Sequence, residues 1–185
     1  MIEIHLLTSL DAAAVNRIIT GYTSHETFTV TYSDTPEYTA FTLRQTPLPQ
    51  PYVKQFEPTD EATLQRYNQI LTEGYAYGAY DGDLLIGLLV AEPHFWNHTI
   101  WVHEFHVAEG YRQQGIGAQL MAVVSAQASQ NGFRALVCET QNTNAPAIHA
   151  YRRLGFRPEG VDIAYYTNQD YPGGEVAVFM KKRLG

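Results

Sequence analysis

The chain has 185 residues, a formal charge of −7 and 45% hydrophobic residues, which suits a single domain over residues 1–185 with a full core. Its one cysteine, Cys138, excludes an intrachain disulfide. The charges are well mixed, and the only basic run, Lys181-Lys182-Arg183, is too short for a nucleic-acid footprint. No leader peptide or membrane-length apolar run is visible, so the expectation is a cytoplasmic protein with no membrane or nucleic-acid partner. The acidic balance favours a cationic substrate.

In chain order, Ile2–Leu7 reads as a strand, and Asp11 is placed to cap a helix over Ala12–Ile19. Thr27–Tyr32 and Tyr38–Leu43 are β-branched and aromatic and predict two strands. Pro47-Leu48-Pro49-Gln50-Pro51 predicts a stiff extended connector after them. Thr59 is expected to cap a second helix through Leu71, with Leu64, Tyr67, Asn68 and Leu71 on one face. Asp81-Gly82 predicts a tight turn between strands Tyr75–Tyr80 and Leu84–Val90. A turn at Trp96-Asn97-His98 leads into a strand, Thr99–Val107. The helix Gly117–Gln130 carries Leu120, Val123, Val124 and Gln127 at helical spacing, with Gly132 past its end. Arg134–Glu139 is a short, apolar, interior strand that buries Cys138. Asn144 caps a last helix through Leu154, with Pro146 in its first turn and Gly155 beyond it. Val161–Tyr166 and Glu175–Lys181 predict two closing strands. Hairpins in the first half and strand–helix alternation in the second make a mixed α/β fold, one sheet with helices on both faces.

The most informative segment is Arg112-Gln113-Gln114-Gly115-Ile116-Gly117-Ala118, between a strand and a helix. A basic turn there aims backbone N–H groups at one spot, and the helix adds the positive end of its dipole. Its guest is a phosphate or pyrophosphate. A P-loop is excluded, since no Lys follows Gly117. A dinucleotide fingerprint is excluded too, since Gln119 and Leu120 stand where its third glycine belongs. Arg-x-x-Gly-x-Gly before an apolar helix resembles the acyl-CoA pyrophosphate loop of the GNAT N-acetyltransferases. Asn144, Ala147, Tyr151 and Gly155-Phe156 are similar to that family's Asn-x-x-Ala-x-x-x-Tyr-x-x-x-Gly-Phe element.

The resemblance implies a central, mostly antiparallel, splayed sheet flanked by helices, with acetyl-CoA as co-substrate and no metal. It implies that the backbone of Phe105, His106 and Val107 pairs with the pantetheine arm, and that the Val107 N–H polarises the thioester carbonyl. Asn144 would bind the same arm, and Tyr151 would protonate the departing thiolate. The acceptor must be a neutral amine, so a base has to take a proton. Glu104 is the first choice, as base or as contact for the substrate ammonium. His103, on the opposite strand face, and a water relay stay open as alternatives. His94, His98, His103 and His106 show no metal-ligand set.

Trp96-Asn97, Phe41–Phe56, Glu139–Asn144, Gly160-Val161-Asp162 and Tyr165-Tyr166 look like the streptothricin acetyltransferase branch of the family. That likeness implies a small polycationic acceptor, acetylated on an amine of its β-lysine arm. Trp96, Glu104 and Asp162 are then expected at the acceptor. A protein or peptide amine as acceptor, and a non-catalytic acyl-CoA sensor, are the alternative readings. The family often forms dimers, which leaves a homodimer open.

Overall fold

The computed structural model describes residues 1–185. In chain order the elements are β1 (Ile2–Leu6), α1 (Ala12–Ile18), β2 (Gly21–Asp34), β3 (Thr39–Gln55), α2 (Glu61–Leu71), β4 (Tyr77–Asp81), β5 (Leu84–His94), β6 (Thr99–Val107), α3 (Ile116–Gln130), β7 (Ala135–Gln141), α4 (Ala145–Arg153), β8 (Arg157–Asp162) and β9 (Ala177–Arg183). They form two compact units that interleave in sequence. One comprises residues 1–20, 56–138 and 182–185; the other comprises 21–55 and 139–181.

The first unit is a sheet in the order β1-β4-β5-β6-β7. Its first four strands pair antiparallel, and β7 joins parallel to β6 after the α3 crossover. β5 is buried over Leu85–Ala91, the run expected of a strand covered on both faces. Leu88 and Val90 face a core built with Val15 and Ile18 of α1 and Ile70 and Leu71 of α2. On the other face, Gly87 meets Leu120 of α3. Helices therefore cover both faces, as the alternation of elements predicts. The parallel β6–β7 ladder runs only from Thr99↔Ala135 to Val102↔Cys138, whereas the antiparallel ladder to β5 continues to Gly87↔Val107. β6 thus outruns its parallel partner by five residues.

Asp11 caps α1 as expected, its Oδ1 accepting the Ala14 N–H at 2.9 Å. The cap of α2 is Asp60 rather than Thr59: Asp60 Oδ1 accepts the Thr63 N–H at 2.7 Å. Thr59 instead donates its own N–H to Asn16 Oδ1 at 2.8 Å. A carboxylate is the stronger acceptor, and it wins the cap.

The second unit holds the β2–β3 ribbon, α4 and the β8–β9 hairpin. Here two expectations fail. Pro47–Pro51 is no connector but lies inside a 17-residue strand. The register passes from Ser24↔Tyr52 to Glu26↔Pro47, so residues 48–51 stand outside the ladder. The N–H groups that Pro49 and Pro51 lack are therefore never required. The strand expected at Val161–Tyr166 sits earlier, at Arg157–Asp162, because Pro158 and Gly160 occupy a register shift instead of a turn. After it, the Asp170 carboxylate accepts the N–H groups of Tyr166 and Thr167 at 2.7 and 2.9 Å, which closes a turn there.

Asn142 ties this unit together. Its side chain is buried, accepts the Val176 N–H at 2.8 Å and donates to Phe28 O at 3.0 Å. Asn142→Ala leaves a backbone donor and acceptor without partners. The expected loss is about 2–5 kcal/mol of unfolding free energy in urea denaturation; a loss below about 1 kcal/mol would show that water replaces the side chain.

Candidate active site

The segment Arg112–Ala118 joins β6 to α3 as a strand–turn–helix. Gln113 (φ 63°) and Gly115 (φ 82°) are both left-handed. Successive left- and right-handed residues turn backbone N–H groups into one concavity, a ready anion seat. No side chain caps α3, whereas Asp11, Asp60 and Asn144 cap α1, α2 and α4. The first-turn N–H groups of α3 are therefore not satisfied by a capping side chain. Arg112 Nε donates to Val107 O at 3.0 Å, which fixes the guanidinium beside the turn. Gln114 Nε2 donates to Gly110 O at 3.2 Å, and Ile116 is buried. Gly117 serves packing: a Cβ there would stand 3.0 Å from the Phe105 ring. A side chain at this position would press on the ring where α3 packs against β6.

On β6, the Ala108 N–H donates to Ile86 O at 2.8 Å. Alternation along an antiparallel ladder then turns the N–H of Val107 away from β5. Glu104 sits on the same strand, with a partner on each oxygen. The Tyr67 hydroxyl of α2 donates to Oε1, and His106 Nε2 lies 2.8 Å from Oε2. Burial, reinforced by the Glu104 charge, holds the Tyr67 phenol far above its ordinary value, so it stays a donor. The register passes from Val90↔Glu104 to Ala91↔Val102, so His103 is a bulge residue; the alternation that would turn it to the opposite face fails there, and it lies 2.8 Å from Glu92. Burial pushes its imidazole below the usual value, against the pull of that bond. Trp96 is 85% exposed in the β5–β6 turn.

In the second unit, Asn144 Oδ1 accepts the Ala147 N–H at 3.2 Å and so starts α4. Tyr151 is buried, its ring 5.3 Å from that of Phe156. Asp162 is exposed and turns its carboxylate onto the Ala164 N–H at 2.9 Å. Two carboxylates stand out that residue pattern did not single out. Glu139 accepts the Tyr166 hydroxyl. Burial raises its carboxyl above the ordinary range, against that bond and the Lys54 charge. Glu175 Oε1 accepts hydroxyls from Thr143 at 2.6 Å and from Tyr22 and Tyr52, each at 3.2 Å, while Lys54 pairs with Oε2. Burial pushes the Glu175 carboxyl up, but the bonds from Lys54 and Thr143 outweigh it and hold the group ionised. No group of three or more His, Cys, Asp or Glu side chains is placed to hold a metal ion, and no helix is long and apolar enough to cross a membrane.

Residues 38–156 match the acetyltransferase (GNAT) family. The chain belongs to this family. Streptothricin acetyltransferase of Streptomyces lavendulae is 35% identical over 175 residues, 92% of this chain and 88% of that one. The crystal structure of nourseothricin acetyltransferase covers 100% of this chain and 99% of its own, with a TM-score of 0.79 and 30% identity. A Bacillus anthracis protein crystallised with acetyl coenzyme A has a TM-score of 0.72 over 99% of both chains at 21% identity, a likeness of fold.

This GNAT protein is an acetyl-CoA-dependent N-acetyltransferase. A left-handed turn before an uncapped helix is suited to holding a phosphate group. Gly115→Val tests this. Nothing lies within 4 Å of a Cβ at Gly115, so the cost is the left-handed backbone alone, about 1–3 kcal/mol for a β-branched residue. A GNAT loop pushed out of this conformation loses about tenfold or more in acetyl-CoA affinity by calorimetry, with unchanged circular dichroism. An unaltered affinity would mean that the turn does not hold the cofactor.

Residue pattern left several of these side-chain pairings unread. Tyr67 was legible only as part of an apolar helical face; its hydroxyl gave no separate signal. His106 could have been paired with Glu104 from strand alternation alone, since i and i+2 share a face. Glu139 and Glu175 are far apart in sequence, and only the fold brings them near Lys54.

Proposed function

We propose that the protein transfers the acetyl group of acetyl-CoA to a primary amine of a small cationic acceptor of the streptothricin type, by direct attack in a ternary complex. The observation that carries this reading is the identity to a streptothricin acetyltransferase across nearly the whole chain. The turn at Arg112–Ala118 and the uncapped N-terminus of α3 support the cofactor half. In this scheme the pyrophosphate sits on the N–H groups from Gln113 to Ala118 and beside Arg112. The pantetheine arm pairs with Phe105, His106 and Val107, and with Asn144. The Val107 N–H, turned away from β5, stabilises charge on the thioester oxygen.

A primary amine has a pKa near ~10, so it arrives mostly protonated at neutral pH. Glu104 takes that proton, directly or through water. The amine nitrogen bonds to the acetyl carbon, the carbon–sulfur bond breaks, and Tyr151 returns a proton to the thiolate. Glu104 is suited to this work because Tyr67 and His106 fix both oxygens. The reading is tested by incubating the protein with acetyl-CoA and streptothricin and analysing the antibiotic by mass spectrometry. A single acetyl group on an amine supports it. An unmodified antibiotic, alongside acetylated peptide amines in a parallel reaction, would move the acceptor to proteins.

A further inference from the structure

A cavity of about 240 Å³ opens in the second unit. It is smaller than the ~300–1,000 Å³ that holds a whole drug-sized ligand, so it suits one arm of a larger molecule. Five hydroxyl side chains line it: Thr27, Thr29, Tyr52, Thr143 and Tyr171.

Their protons can be counted. Tyr52 and Thr143 donate to the Glu175 carboxylate, which as an ion can only accept. Thr27 donates to the carbonyl of Asn142 at 3.2 Å. Thr46 spends its proton on the Arg44 carbonyl, so in its bond with Thr29 at 3.0 Å it must accept and Thr29 must donate. Four of the five hydroxyls therefore have their protons committed to the protein. Each still carries lone pairs, and a hydroxyl that donates to a carboxylate is polarised into a better acceptor. The side-chain amide of Asn142, also in the wall, gives its oxygen to the Val176 N–H and one of its two amide protons to Phe28 O. The cavity thus offers acceptors and few donors. It also offers the rings of Tyr52 and Tyr171, and aromatic faces attract cations. Behind Tyr52 and Thr143 stands the Glu175 carboxylate, paired with Lys54.

We infer that this cavity binds a hydrogen-bond-donating organic cation, held by the hydroxyl oxygens of Thr27, Thr29, Tyr52 and Thr143 and by the tyrosine rings. The inference rests on the proposed transferase reading in one respect: the cation is a second charged arm of the acceptor, separate from the amine that reacts. An anion or a donor-poor sugar is refused, because the wall has few protons to offer it.

Methylguanidinium is the probe, with methylurea as an uncharged control of similar shape in which a carbonyl oxygen replaces one NH2 group. Both are titrated into isotopically labelled protein and followed by amide chemical shifts. Methylguanidinium should move the amides of Thr29, Asn142, Thr143 and Gly174, and methylurea should bind at least several-fold more weakly. Thr143→Val should weaken the cation about tenfold, the loss expected for one hydrogen bond to a charged group. Tyr52→Phe, at a 37% exposed position that tolerates the change, should weaken it comparably and keeps the test intact should Thr143→Val not fold. Absence of shifts at these amides, equal binding of methylurea, or unchanged affinity in Tyr52→Phe overturns the inference. Acetyl-CoA titrated into the same samples separates the two claims. Cofactor binding without cation binding leaves the transferase reading standing and removes the subsite. Cation binding without cofactor binding does the reverse.

Discussion

Glu104→Gln lowers kcat/KM for a primary-amine acceptor by about 10²–10⁴-fold, the range for loss of a general base, while acetyl-CoA affinity stays as in the wild type. Glutamine preserves the shape of the site. It can still accept the Tyr67 hydroxyl and still meet His106, so packing between β6 and α2 survives. What it cannot do is take a proton. The pH profile carries the sharper signature. A base that must be deprotonated gives the wild-type rate a falling limb toward acid, and the variant should lose that limb along with most of its activity. A variant with near wild-type rate would move the base elsewhere. Glu139 is then the next group to replace, because burial holds its carboxyl above the ordinary range, as suits a proton acceptor.

Tyr151→Phe lowers kcat by about 10²-fold or more, at the lower end of general acid catalysis, with little change in acetyl-CoA affinity. The tyrosine is buried against Phe156, and phenylalanine keeps that ring contact, so unfolding does not explain a loss. The effect should shrink with an acyl donor whose thiolate leaves more readily, since a better leaving group needs less protonation. A uniform loss across donors would instead assign Tyr151 to positioning. No loss at all would make it a core tyrosine whose hydroxyl is incidental.

The two halves of the protein were legible in the sequence to different degrees, for physical reasons. In the first unit, strand alternation and helix caps are local signals. Thr99–Val107, Asp11 and the helix ending before Gly132 could be read to within a residue. Asn144 was equally clear, because its cap acts three residues away on Ala147. The second unit depends on pairing between distant segments. The ribbon of Gly21–Asp34 with Thr39–Gln55 is far longer than its β-branched stretches suggest. Its prolines mislead because their missing donors fall outside the ladder. Pro158 and Gly160 mislead in the same way, by marking a shift in register rather than an end.

The site divides similarly. The turn Arg112–Ala118 announces itself, since a glycine at a left-handed position before an uncapped helix is a local pattern. One detail was not legible: a Cβ at Gly117 would stand 3.0 Å from the Phe105 ring. Glu104 was visible as a strand carboxylate, but its partners were not. Tyr67 comes from 37 residues away in sequence, and nothing in the helical face on which it lies distinguishes its hydroxyl. The Glu175 cluster draws on Tyr22, Tyr52, Lys54 and Thr143 from three segments, a constellation that exists only once the ribbon has folded. Asp162 and Trp96, picked from the sequence as acceptor contacts, are both exposed, Asp162 at the end of β8 and Trp96 in the β5–β6 turn, and the Asp162 carboxylate accepts the Ala164 N–H.

The most direct test of the account is free-thiol release from acetyl-CoA, measured as initial velocity with streptothricin and with a panel of simple amines and peptides. The account predicts rapid release with streptothricin, at a kcat/KM well above that for any monocationic amine or peptide in the panel. Faster release with peptide amines, or none with streptothricin while acetyl-CoA still binds, would contradict it.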